Sequence, residues 1–311
     1  MTSGSSGPGA SSGTTPGTDG GHPDVVVGVA GLGNLGLPVA RRLACAGFEV
    51  LGFDVNPGAR ASAEGLPLAA SVRELAEKAD VVFILVSDGG QCRSVLSGPD
   101  GIASASRPPA AVVIMATVGP DALTELAAEL RGRETDIIDA PVSGGSEAAT
   151  DGSLSLMVGG SPEVIQRWRA PLAALGTVHV MGPLGAGQSA KVANQMVFFG
   201  TQAVLQEALA LANASGVNQD ALLAALSGGT ADCWSVRHPG FLEATARAYD
   251  ASGVDPSHRS WHKDLRTAVQ ATAARDLNAP VTDVVNRVFG DRIDKAARRP
   301  SSPECARSQQ H

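Results

Sequence analysis

From residue 24 onward the chain alternates two hydrophobic patterns. Continuous apolar runs at 24–30 (DVVVGVA), 81–86 (VVFILV) and 111–115 (AVVIM) have the length and β-branched content of strands buried on both faces. Shorter runs at 49–54 (EVLGFD), 136–140 (DIIDA), 154–160 (LSLMVGG) and 178–181 (VHVM) add four more strands. Segments of helical period lie among them. PVARRLACAGF at 38–48 places Val39 and Leu43 on the face of Leu35. SVRELAEKA at 71–79, ALTELAAELRG at 122–132 and PEVIQRWRAPLAAL at 162–175 read as further helices. Strand and helix in alternation predict an α/β domain with a doubly wound parallel sheet over residues 24–183.

After Gly182 the strand signal stops. Residues 188–214 read as one long helix, apolar on several faces. Shorter helices are expected at 219–226, 239–249, 261–274 and 281–289. Residues 184–290 are therefore expected to form an all-α substrate and dimerisation domain built on the long helix. Residues 1–23 are Gly, Ser, Thr and Pro with almost no apolar side chain, the composition of a disordered tail. Residues 291–311 turn polar and are expected to fray.

The first strand runs straight into Gly31-Leu32-Gly33-Asn34-Leu35-Gly36, and a helix follows. The second strand then ends in Asp54. Strand, glycine turn, helix, strand and terminal acid in this order form a Rossmann-type dinucleotide site. Gly31 makes the tight turn, Gly33 lets a pyrophosphate approach the backbone, and Gly36 lets helix and strand pack closely. The helix start then faces the phosphates with unpaired N–H groups. A carboxylate at Asp54 favours the ribose hydroxyls of NAD and repels the 2′-phosphate of NADP, so NAD is expected to be preferred.

Composition narrows the setting. The 311 residues carry a net charge of −7, which gives no sign of nucleic-acid binding. No apolar run is long enough to cross a bilayer, so no membrane partner is expected. The N-terminus has neither the basic nor the apolar region of a signal peptide. Cys45, Cys92, Cys233 and Cys305 are far apart, which fits a reducing, cytoplasmic setting. No His, Cys or acid spacing suggests a metal site. Arginine supplies most of the positive charge; the only lysines are Lys78, Lys191, Lys263 and Lys295. A lysine can exchange a proton near neutral pH when its pKa falls, and an arginine cannot.

Three further segments carry candidate chemistry. Ser143, Gly144 and Gly145 follow a predicted strand, where ligands of open α/β sheets bind. A hydroxyl and two open backbone N–H groups can hold a carboxylate, although a plain turn explains these residues equally well. Lys191 stands near the start of the long helix, with Asn194 and Gln195 on its face. Burial and the positive helix end both lower a lysine pKa there. Lys263 and Asp264 open a late helix; alone, a solvated charge pair is their simpler reading.

In sum of its motifs the chain resembles the β-hydroxyacid dehydrogenases, the group of 3-hydroxyisobutyrate dehydrogenase and tartronate semialdehyde reductase. The resemblance covers roughly residues 25–290 and rests on GLGNLGLPVARRLACAGFEVLGFDVNP, DAPVSGGSEAATDGSLSLMVGG, GAGQSAKVANQ and KDL, all in family order. It implies an NAD(P)-dependent oxidoreductase that interconverts a small β-hydroxyacid and its semialdehyde or keto form. It makes Lys191 the catalytic acid–base and Asn194 its neighbour that positions substrate. It gives the substrate carboxylate to Ser143, Gly144 and Gly145. It sets Thr117 near the nicotinamide and Lys263 beside the active site, with Val86 on the cofactor side. Two departures touch that side: Val86-Ser87 replaces the usual Leu-Pro, and Ile114-Met115-Ala116-Thr117 the usual D-x-S-T. The resemblance also implies a homodimer or a tetramer. The rivals are an imine reductase on the same fold, and a dinucleotide-binding sensor or scaffold without turnover; both types usually lack the lysine.

Overall fold

The computed structural model describes residues 25–251, 253, 255–256 and 259–297; the tail expected at 1–23 lies outside the described residues. Eight strands form one sheet: β1 (Val26–Ala30), β2 (Glu49–Phe53), β3 (Val81–Ile84), β4 (Ala111–Ile114), β5 (Asp136–Asp139), β6 (Val142–Ser143), β7 (Leu154–Gly159) and β8 (Gly176–Gly182). Their order is β2-β1-β3-β4-β5-β7-β6, with β8 also paired to β7. The first five strands are parallel. β7 runs antiparallel to β5 and to β6, so the sheet is parallel in its main body and mixed at one end. The two-residue β6 gave no signal in the sequence, because a run this short has no period to read.

The apolar runs bury both faces as their composition requires. Val81 and Phe83 enter the core on one side of the sheet, Val82 and Ile84 the core on the other. β4 repeats the division, with Ala111 and Val113 against Val112 and Ile114. Residues 162–175 form two helices rather than one, Pro162–Arg167 and Arg169–Leu175, joined at Trp168. Pro171 supplies the reason: it has no N–H to donate, and its ring crowds the carbonyl of Arg167.

The second domain is helical throughout its described residues. Helix Ala186–Ala214 is its axis. Helices Gln219–Ser227, Trp234–Arg237, Phe241–Ala251, Ser260–Ala273 and Pro280–Ala297 follow. Its core gathers Phe199, Leu242, Trp261, Leu265, Phe289 and Ile293. The last helix corrects the expected boundary at 290: it continues to Ala297, and Ile293 is fully buried. One apolar residue in a polar stretch is enough when it falls on the buried face of a helix already under way.

Candidate active site

Parallel strands present all their C-terminal ends at one edge, and the candidate residues gather there. The chain order reverses between β2-β1 and β3, which opens a crevice beyond those ends. β1 ends at Ala30, and Gly31 follows with φ of +96°, its N–H donating to the Phe53 carbonyl at 2.8 Å. A Cβ on Gly31 would lie 2.6 Å from the Leu85 carbonyl oxygen. A Cβ on Gly36 would collide with the Gly31 carbonyl. Gly33 and Asn34 are exposed, and the space above Gly33 is open, with nothing within 4 Å of a Cβ built there. Helix Gly36–Cys45 starts behind them; Leu35 at its N-cap makes no side-chain cap. The Leu37 N–H donates to the Gly33 carbonyl at 3.1 Å and Pro38 has no N–H, so any open donors belong to the turn itself. This geometry fits a dinucleotide pyrophosphate.

Asp54 follows β2. Its two oxygens accept the N–H groups of Leu32 and Asn56, both at 2.7 Å. It thus braces the glycine turn from behind as well as facing the crevice. A carboxylate has about four acceptor positions, so two remain for ribose hydroxyls. Val86, after β3, lies against the Gly31 turn.

The helical domain closes the crevice with a chain of buried polar groups. Lys191 is 8% exposed, and its Nζ donates to Gln195 Oε1 at 3.0 Å. Asn194 Nδ2 donates to the same oxygen at 2.9 Å. Gln195 Nε2 donates to Asp264 Oδ2 at 2.6 Å, and Lys263 Nζ lies 3.3 Å from Asp264 Oδ1. Lys263 Nζ also donates to the Thr117 carbonyl at 2.9 Å, beyond the end of β4. Lys191, Asn194, Gln195, Asp264, Lys263 and Thr117 therefore form one connected array. Burial lowers the Lys191 pKa; Asp264 draws it partly back up, and Lys263 pushes it down again.

One reading changes. The pair Lys263–Asp264 is not a solvated ion pair, because Asp264 is buried within the array. Lys191 donates directly to Gln195, and Asn194 joins the array through the same oxygen. Helical spacing places both beside the lysine, since positions three and four residues on share its face. No hydrogen bond between described residues joins Ser143, Gly144 or Gly145 to this array. They are held through β6 and β7, with Ser143 opposite Ser155; Gly144 and Gly145 are exposed at φ of +130° and +73°. Among the described residues no cluster of His, Cys, Asp or Glu could hold a metal ion. No helix among them is long and apolar enough to cross a membrane.

Comparison with known proteins agrees with this geometry. Residues 26–183 match the family described as the NAD binding domain of 6-phosphogluconate dehydrogenase. Residues 185–299 match the one described as NAD-binding of NADP-dependent 3-hydroxyisobutyrate dehydrogenase. A 2-hydroxy-3-oxopropionate reductase of Escherichia coli is 32% identical over 87% of this chain and 94% of its own length. The solved structure of a Mycobacterium tuberculosis 3-hydroxyisobutyrate dehydrogenase with L-serine superposes with a TM-score of 0.74. It is 30% identical, and the match covers 88% of this chain and 95% of that one. An imine reductase from Pseudomonas sp. shares the fold at 21% identity and a TM-score of 0.59, over 85% of this chain and 91% of its own. The chain belongs to the β-hydroxyacid dehydrogenase family of NAD(P)-dependent oxidoreductases, which act on CH–OH groups.

Proposed function

We propose that this enzyme interconverts a small 3-hydroxy acid and its semialdehyde, with Lys191 as the proton donor and acceptor. The observation that carries the reading is a buried lysine of lowered pKa, tied through Gln195 and Asp264 to the loop that bears Thr117. The nicotinamide, when bound, supplies or accepts the hydride. Gly31, Leu32, Gly33, Asn34, Leu35 and Gly36 cradle its pyrophosphate, Asp54 its adenosine ribose, and Val86, Thr117 and Lys263 flank it. In reduction the Lys191 ammonium gives a proton to the carbonyl oxygen; in oxidation the neutral amine takes it from the hydroxyl. Ser143, Gly144 and Gly145 receive the substrate carboxylate, and Asn194 orients the hydroxyl end. L-serine, held by the M. tuberculosis relative, is itself a 3-hydroxy acid. The test is a spectrophotometric panel of small 3-hydroxy acids, semialdehydes and imines with both cofactors. Turnover of imines alone would favour the imine reductase reading, and tight cofactor binding without any turnover would favour a sensor.

Asp54 makes NAD the expected cofactor. Its carboxylate is anchored by two backbone N–H groups and so cannot swing away from an incoming 2′-phosphate. Arg60 is the nearest cation in the sequence and is not among the partners of Asp54. Catalytic efficiency is expected to be higher with NAD; equal or better efficiency with NADP would show this role for Asp54 to be wrong.

The enzyme is also proposed to work as a homodimer or a tetramer of dimers. The apolar faces of the long helix divide cleanly. Val192, Phe199 and Leu205 are buried, whereas Val197, Val204 and Leu211 are 67%, 64% and 70% exposed. These three recur every seven residues, with Gly200 and Ala208 between them and Ala193 before them, which makes one seam for a second helix. Light scattering at micromolar concentration is expected to give a multiple of the 31.4 kDa chain mass. A monomer mass in a sample that is still active would rule the association out. Cys45, Cys92 and Cys233 are free, which supports a reducing cytoplasmic setting.

A further inference from the structure

The long helix must enter the crevice at one height if Lys191 is to meet its substrate, and two residues outside the polar array hold that entry. Asp139 ends β5 and is fully buried. Its oxygens accept the N–H groups of Gly185 at 2.8 Å and Gln188 at 2.6 Å, which belong to the first turn of the long helix. The site is built for this carboxylate. A Cβ on Gly187 would lie 2.7 Å from Asp139 Oδ2, and one on Gly159 would collide with Oδ1. Gln188 is also fully buried and spends its whole amide on the loop after β4. Its Oε1 accepts from the N–H groups of Val118 at 3.0 Å and Gly119 at 3.1 Å, and its Nε2 donates to the Ala116 carbonyl at 2.9 Å.

The loop between those contacts is therefore held by helical-domain side chains on both sides of Thr117. Gln188 grips it at residues 116, 118 and 119, and Lys263 grips the Thr117 carbonyl. Lys191 lies three residues beyond Gln188, one turn along the same helix. We propose that Asp139 and Gln188 are positioning residues: an interdomain latch that sets the height of Lys191 against the Thr117 loop. The inference rests on the acid–base reading of Lys191. Burial pushes the Asp139 carboxyl up, and its backbone N–H partners oppose that shift.

The test compares Asp139→Asn, Gln188→Met and Lys191→Ala by steady-state kinetics across pH. Competent sites are counted by cofactor fluorescence titration. Asp139→Asn is expected to lower kcat by about 10²-fold with substrate KM nearly unchanged, the mark of lost alignment rather than lost binding. Gln188→Met is expected to lower kcat by about tenfold or more, again with KM nearly unchanged. Normal kcat per competent site in both variants would overturn the latch, as would a loss of competent sites alone. If Asp139→Asn does not fold, Gln188→Met decides by itself. Lys191→Ala separates the two claims. Its normal turnover would sink the acid–base reading, whereas its inactivity beside unaffected latch variants would sink only the latch.

Discussion

Replacing Lys191 with Ala is expected to cut kcat by about 10²–10⁴-fold or more, the contribution of a positioned acid–base group. The fold should tolerate the change. A buried ammonium is costly to desolvate, and Asp264 keeps Lys263 as a second cationic neighbour when Lys191 is gone. Cofactor affinity should stay close to that of the unmodified enzyme, because the glycine turn and Asp54 lie on other elements. Lys191→Arg should rescue little, since a guanidinium cannot give up its proton at working pH. The pH dependence follows from the lowered lysine pKa. Reduction needs the ammonium, so its rate should fall as pH rises through that pKa. Oxidation needs the free amine, so its rate should rise over the same interval. That crossing should lie below the ordinary lysine range and vanish in Lys191→Ala. Near-normal turnover in Lys191→Ala would remove the lysine from the mechanism.

The parts of this site that were legible in the sequence are those whose demands are local. Gly31 needs its left-handed φ and Gly36 sits against the Gly31 carbonyl five residues back, so their spacing reveals the turn, while no part of the chain meets a Cβ at Gly33. Lys191 was visible because a lysine in an apolar helix is conspicuous in a chain with so few lysines. The partnership of Gln195 with Asp264 was not, because it joins residues 69 positions apart on two helices whose packing no local pattern encodes. For the same reason Lys263–Asp264 looked like a solvated pair until Asp264 proved to be buried. Gln188 and Asp139 stood inside quoted motifs but carried no charge pair or metal spacing to mark them; their role arises only when β5, the β4 loop and the long helix meet. The break at Trp168 was within reach, since Pro171 announces it.

Gly36 and Gly33 of the dinucleotide turn should fail differently when each is given one methyl group. In Gly36→Ala the new Cβ meets the Gly31 carbonyl. Gly31 cannot retreat: the Leu85 carbonyl is behind it, and its N–H is bound to the Phe53 carbonyl. The helix Gly36–Cys45 must move outward instead, against a core that includes Val39 and Leu43. Overpacking of this kind costs about 1–3 kcal/mol. At roughly 2–4 °C per kcal/mol for a domain of this size, Tm should fall by several degrees. The displaced N–H groups should also weaken cofactor binding by about tenfold or more, a loss of about 1.4 kcal/mol. Gly33→Ala has the opposite profile. Its Cβ meets nothing within 4 Å, and its φ is not in the left-handed region, so Tm should hold. The open space it fills is where a pyrophosphate approaches the backbone, so cofactor affinity should fall all the same. Isothermal titration with NAD and NADP, run beside thermal unfolding, separates the two profiles. Unchanged affinity in Gly33→Ala would mean that the phosphates do not pass over this turn, and an unchanged Tm in Gly36→Ala would mean that helix and strand are not packed as tightly as the structure has them.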